Sequence, residues 1–305
     1  LRRRSIDTIR LRKRALVVGA LCACANPYAA VGAGEPPAQA AGPNDDLPVI
    51  DVHNHDAVDS RYIESMRLWE RYGIVKVVLF GNVSEPAARA TDAIAIESSR
   101  EHPDRIIPFV AGVDIHSPAG LDYVRHQFAE GAQGVGEIVA MSAYSPVVSR
   151  VQWKGLHLLD GTLPQLYALC AEYGRPILLH IDPPDGGLEE VAKAYPDTLF
   201  IFGHGNAFNT PERLERLLRE TRNVYIDFFA GFTAFNEASG FTLDDFVPLI
   251  EAYPDRFLLG SDSGYGVGYE HALIAMRRLL NLLGRDVAEK VAHRNFEALM
   301  ARARK

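Results

Sequence analysis

The sequence predicts a single (β/α)8 barrel. Two observations carry that expectation. From Val49 onward, short apolar β-rich runs bounded by turn residues alternate with helical patterns, and each run is followed by its own helix. No glycine-rich dinucleotide fingerprint follows the first run, which counts against an open doubly wound sheet. The length agrees. A chain of 305 residues, 48% hydrophobic and 23% charged, holds one barrel of about 250 residues and a leader.

Strands are expected near 49–55, 74–80, 106–113, 134–138, 176–181, 198–204, 224–229 and 256–262. Helices are expected near 60–72, 86–101, 118–130, 162–173, 187–195, 211–220 and 242–253, with two more near 270–283 and 286–303. The stretch from Glu212 to Glu220 shows the helical logic: Leu214, Leu217 and Leu218 share one face, and Pro211 suits a first turn. Two connections are long. Ile138–Asp160 carries Tyr144, Trp153, Lys154 and His157, and Phe229–Phe241 carries Phe232, Phe235 and Phe241. Both follow the C-terminal end of a strand, where barrel enzymes build their sites, so both are candidate pocket walls.

Residues 1–47 read as a signal peptide and an unstructured tether, and residues 48–305 as the barrel domain. The basic stretch Arg10 to Arg14 precedes the apolar Ala15 to Ala25, which is too short to span a membrane. Small-residue cleavage sites follow at Ala23-Cys24-Ala25, Tyr28-Ala29-Ala30 and Ala38-Gln39-Ala40. Cys24 in Leu21-Cys22-Ala23-Cys24 is a candidate lipid anchor, and a disordered upstream extension that is not part of the natural protein is the competing reading. Export to the periplasm or beyond is the expectation. The leader takes seven of the 32 Lys and Arg and two of the 39 Asp and Glu, which leaves the body 25 against 37, or −12. Such a body is a poor partner for nucleic acid. Cys170, the body's one cysteine, lies in a helical apolar pattern and reads as a buried, inert thiol.

The chemistry concentrates at the ends of the apolar runs. His53 and His55 close Val49-Ile50-Asp51-Val52-His53-Asn54-His55. Residues i and i+2 of a strand face the same side, so both imidazoles can reach one point. His180 closes Pro176-Ile177-Leu178-Leu179-His180, His204 closes Leu199-Phe200-Ile201-Phe202-Gly203-His204, and Asp262 follows Leu258-Leu259-Gly260-Ser261. Glu137 closes Gly134-Val135-Gly136-Glu137. The same placement on separate strands predicts a metal site at the C-terminal face of the barrel. Neutral imidazole and carboxylate suit Zn2+, as one or two divalent ions, and such an ion draws a water towards ionisation at neutral pH. The remaining histidines, His102, His116, His126, His271 and His293, fall on helices or turns and read as structural; His157 is left open in its long loop.

These motifs resemble the amidohydrolase superfamily, and most of all its amidohydrolase-related branch of metal hydrolases and nonoxidative decarboxylases. The resemblance spans residues 48–303 and includes Asn295 ahead of an apolar helical turn. It implies a distorted barrel with one or two divalent metals at the C-terminal mouth. It also implies that His53, His55 and His180 ligate metal, that His204 binds a second metal or the substrate, and that Asp262 ligates metal and shuttles protons. One position departs. Many binuclear members carry a carboxylated lysine at the end of the fourth strand, where this chain has Glu137; the nearest lysine is Lys154. Gly136-Glu137-Ile138 resembles the glutamate of TatD-like nucleases, which could bridge two cations. Without Glu137, a mononuclear site of His53, His55, His180 and Asp262 remains. The resemblance implies attack by activated water on an amide, lactone or ester carbonyl of a small-molecule substrate. Nonoxidative decarboxylation of an aromatic acid is the alternative on the same ligands, and phosphodiester hydrolysis a further one that the acidic body disfavours.

Overall fold

The computed structural model describes residues 42–182 and 186–302. Eight parallel strands close into a barrel in sequence order. They are β1 (Val49–Asn54), β2 (Ile74–Leu79), β3 (Ile106–Val110), β4 (Gly134–Met141), β5 (Ile177–Ile181), β6 (Phe200–Phe202), β7 (Val224–Phe228) and β8 (Phe257–Leu259). Asp51 opposite Leu259 pairs β1 with β8 and completes the ring. All eight lie within the runs that the apolar pattern marks, except that β4 continues three residues past its expected end.

The outer layer consists of α1 (Tyr62–Arg71), α2 (Ala88–Glu101), α3 (Pro118–Glu130), α4 (Leu163–Glu172), α5 (Leu188–Ala194), α6 (Gly205–Phe208), α7 (Pro211–Glu220), α8 (Ala230–Phe235), α9 (Leu243–Ala252), α10 (Tyr269–Leu282), α11 (Arg285–Glu289) and α12 (Asn295–Arg302). Local chemistry fixes the ends of several. The Ser117 side chain accepts from the Ala119 N–H at the start of α3, and Gly131 turns the chain out of it at φ 115°. Thr242 and Asp245 form a reciprocal capping box on α9. In α7, Leu214, Leu217 and Leu218 are buried and the charged residues face outward, as the helical spacing requires. The expected helix over 286–303 is instead α11, a π-helical stretch from Lys290 to Arg294, and α12, with residue 303 outside the described part.

Alternating strand residues divide the core in two. Val49, Val77, Leu79, Ile177, Leu179, Ile226, Phe228, Phe257 and Leu259 pack outward against the helices. Ile50, Val78, Phe109, Leu178, Ile201, Tyr225 and Leu258 pack inward, joined by Phe296, Leu299 and Met300 of α12. Asn295 donates to the carbonyls of Pro254 and Phe257 at the start of β8, so α12 seats against the N-terminal end of the barrel. Cys170 is fully buried, and burial pushes its thiol up, away from reactivity.

The leader, with Cys22, Cys24 and the cleavage sites, lies outside the described residues. Residues 42–47, which the sequence assigns to the tether, are packed. Asn44 and Leu47 are buried. Asn44 Nδ2 donates to the carbonyls of Leu280 and Leu283 at 2.7 and 3.0 Å, and Arg277 donates to the carbonyl of Leu47 at 2.8 Å. The terminal carbonyls of α10 need donors, and this segment supplies them. The end of a stretch whose Ala, Gly and Pro read as linker is what caps a helix end. Asn44→Ala should therefore lower stability by about 1–3 kcal/mol, the cost of buried acceptors left without a donor. Urea unfolding measures it, and an unchanged midpoint would show that the segment packs without contributing.

Candidate metal centre

All six candidate ligands converge at the C-terminal mouth. His53 lies on β1 one residue before its end, and His55 follows directly after the strand. Their Nε2 atoms stand 3.1 Å apart. The other ring nitrogens explain the orientation. His55 Nδ1 lies 2.7 Å from the carbonyl of Gly81, which can only accept, so the proton sits on Nδ1 and Nε2 is bare when the ring is neutral. His53 Nδ1 lies 2.7 Å from Asp227 Oδ2, and the same logic bares its Nε2. Facing these nitrogens are Asp262 Oδ1, at 3.5 and 3.3 Å, and Glu137 Oε2, at 3.8 and 3.6 Å. With both rings neutral, these four acceptors could hold a cation among them. Phe80, fully buried, packs against both rings and keeps this floor dry.

A second cluster adjoins the first. Glu137 Oε1 lies 3.1 Å from His180 Nδ1 and 3.0 Å from His204 Nε2, and the two nitrogens are 2.9 Å apart. His180 Nε2 faces Asp182 Oδ2 at 3.4 Å. His204 Nδ1 is buried and has no partner among the described residues. The two groups that could hold an ion are thus His53, His55 and Glu137, and Glu137, His180 and His204. Each oxygen of Glu137 addresses a different group.

The electrostatics follow from burial and proximity. Burial alone would pull His53 down, but the attraction of Asp227, Asp262 and Glu137 outweighs it and holds the ring well above its ordinary value. Burial pushes the Glu137 carboxyl up, and His53 with the bonds from His180 and His204 more than reverses this, to well below the usual range. Asp262 is likewise lowered against its burial, first by the charge of His53. His180 is raised to about 9 against its burial, by bonds to Asp182 and Glu137. A divalent cation would neutralise the same excess of carboxylate and lone pair.

Two of the six sit on left-handed backbone, His204 at φ 37° and Asp262 at φ 48°. That conformation costs a side-chain-bearing residue about 1–2 kcal/mol, and its recurrence at both marks a site held by its surroundings. Asp51 does much of the holding. Its carboxylate accepts from the Ser261 N–H at 2.8 Å, the Ser261 hydroxyl at 2.6 Å and the His53 N–H at 3.2 Å, which ties β1 to the turn carrying Asp262. The His55 N–H donates to Ser263 Oγ at 2.7 Å from the same turn.

Above the centre, a pocket is lined by Val83, Val147, Val148, Val151, Phe208, Phe229, Phe232 and Tyr265, with Asn82, Glu85 and Ser145. Both long loops contribute walls, as expected, but largely through other residues. Of the aromatics picked out in sequence, only Phe232 lines the pocket. Phe235 packs on His271, Phe241 on Phe246, and Trp153 under Arg89, while Tyr144 is exposed. Lys154 donates to the carbonyl of Ser142, and His157 serves its own loop by accepting from the Leu159 N–H. Sequence reasoning missed Asp227 and Asp182. Each carried a signal: an acid at an inward position of an apolar strand, and an acid two residues beyond a candidate ligand.

The amidohydrolase family model matches residues 50–299. The chain belongs to the amidohydrolase family. Among solved structures, the amidohydrolase chain is similar to an uncharacterised TIM-barrel protein of Bordetella bronchiseptica, at 18% identity and TM-score 0.62, covering 85% of this chain and 100% of that one. It is similar to a dihydroxybenzoic acid decarboxylase of Polaromonas with bound manganese and the inhibitor 2-nitroresorcinol, at 14% and 0.58, covering 84% and 97%. It is also similar to a probable 2-pyrone-4,6-dicarboxylic acid hydrolase of Acinetobacter baumannii with citric acid bound, at 13% and 0.57, covering 84% and 100%. These likenesses establish the barrel fold. A search of the curated proteins finds no match to this amidohydrolase.

Gly260 tests how tightly the centre is built. A methyl group there would lie 1.9 Å from Asp227 Oδ1 and 2.7 Å from His53 Cβ. Gly260→Ala should cost about 1–3 kcal/mol through overpacking and displace His53. Thermal unfolding checks it, and a wild-type midpoint would contradict the packing described.

Proposed function

We propose that this amidohydrolase is an exported, metal-dependent hydrolase that attacks an amide, lactone or ester carbonyl. The observation that carries the reading is Glu137, whose two oxygens each face a different pair of histidine nitrogens. His53, His55, Glu137 and Asp262 would hold one ion, and Glu137, His180 and His204 a second, Zn2+ or a similar divalent metal. When bound, such an ion supplies Lewis acidity and draws a water towards ionisation near neutral pH. Asp262, kept ionised by its neighbours, accepts the proton of the attacking water and returns it to the departing oxygen or nitrogen. The apolar walls exclude bulk water and receive the rest of the substrate. The leader sequence supports export.

The choice of substrate class rests on the lining. Among the described residues, no Lys or Arg lines the pocket, and Glu85 adds an acid. That leaves the ions themselves to meet any anionic group of a substrate, and the largely apolar walls suit a carbonyl compound whose remainder is uncharged. The aromatic wall of Phe208, Phe229 and Phe232 is the one feature that favours the competing decarboxylase reading.

Glu137→Gln should reduce metal content from about two equivalents to about one while the fold survives. Elemental analysis of metal-replete protein decides it, and a wild type that never exceeds one equivalent removes the bridge. Asp262→Asn should lower kcat by about 10²–10⁴, the usual worth of a general base. The assay is a panel of esters, lactones, amides and aromatic acids. Release of carbon dioxide from the acids, with the carbonyl substrates untouched, would establish decarboxylation instead.

A further inference from the structure

Asp227 is a fully buried carboxylate at the centre that faces no bare ligand atom. It projects inward from β7, two residues beyond Tyr225 of the interior core. A single oxygen does two things. Oδ2 accepts from His53 Nδ1 at 2.7 Å and from the backbone N–H of His204 at 3.0 Å. The first bond fixes which nitrogen of His53 carries the proton. The second anchors the peptide at which His204 takes its left-handed turn. Oδ1 has no hydrogen-bond partner among the described residues, and only a glycine at position 260 leaves it room. A fully buried carboxylate is costly unless charge or donors compensate it. The partners that do so here belong to both halves of the centre.

We infer that Asp227 is a positioning residue that couples the two halves of the metal centre. It aims His53 Nε2 at one half and sets the backbone that aims His204 Nε2 at the other. The inference rests on the metal reading above. It differs from the role of Glu137, which touches both halves directly. Asp227 acts on both without offering either a ligand atom, so its loss should weaken both ions rather than remove one.

The test is chelator-competition titration of Zn2+ into wild type, Asp227→Asn and Asp227→Ala. Removing a carboxylate that orients a ligating histidine typically weakens metal binding about 10–100-fold. Both equivalents should weaken by that order in each variant. In a His53→Ala background, Asp227→Asn should no longer affect the first equivalent but should still weaken the second, because that effect runs through His204. Unchanged affinities in Asp227→Asn would overturn the coupling and leave the metal reading intact. A wild type that binds no Zn2+ would instead overturn the metal reading itself. A second measurement needs no variant. Nitrogen-15 histidine spectra of Zn2+-loaded wild type should show the His53 proton on Nδ1, and a proton on Nε2 would overturn the inference even if the variants do not fold.

Discussion

The centre depends on where three histidine protons point. His53 turns its Nδ1–H to Asp227, His55 turns its own to the carbonyl of Gly81, and His180 points Nε2–H towards Asp182. In a neutral ring, each outward donation leaves the opposite nitrogen as an inward lone pair. The hydrogen bonds at the periphery therefore decide the chemistry at the middle. Candidate ligand atoms from five elements then meet where a cation could reconcile them, and Glu137 stands between the two groups.

The barrel makes that meeting affordable. An apolar interior below the ligands excludes water, and the helical shell buries the outward faces of the same strands. The stability gained there tolerates buried acids such as Asp51, Asp182 and Asp227, each of which costs desolvation. The same frame holds His204 and Asp262 in backbone conformations that neither would choose alone. Asp51 ties the first strand to the last turn, so the same carboxylate serves closure of the ring and placement of the site.

The strands and the six ligand candidates were legible because both rest on short-range regularities. A buried parallel strand is an apolar run, and a site residue at its end interrupts that run with a polar side chain. What was not legible depends on three-dimensional neighbours. Helices α6 and α8, of four and six residues, are too short to display a helical period. Phe208 and Phe229 line the pocket, whereas Phe235 and Phe241 from the same stretch of sequence turn into the core. Asp227 sits in a strand like any stray acid until His53 and His204 are placed beside it. Asn44 reads as linker until the open carbonyls of α10 are seen to need it.

Phe296, Leu299 and Met300 of the last helix join the barrel's inner core and stop its lower end. The vessel is therefore blind. Whatever enters or leaves the pocket passes its remaining walls, among them Val147, Val148, Phe229 and Phe232. An occupant of such a vessel leaves by the end at which it came in. The two long connections after β4 and β7 form that threshold, so variation within them can change how long an occupant stays while the ligands below keep their places.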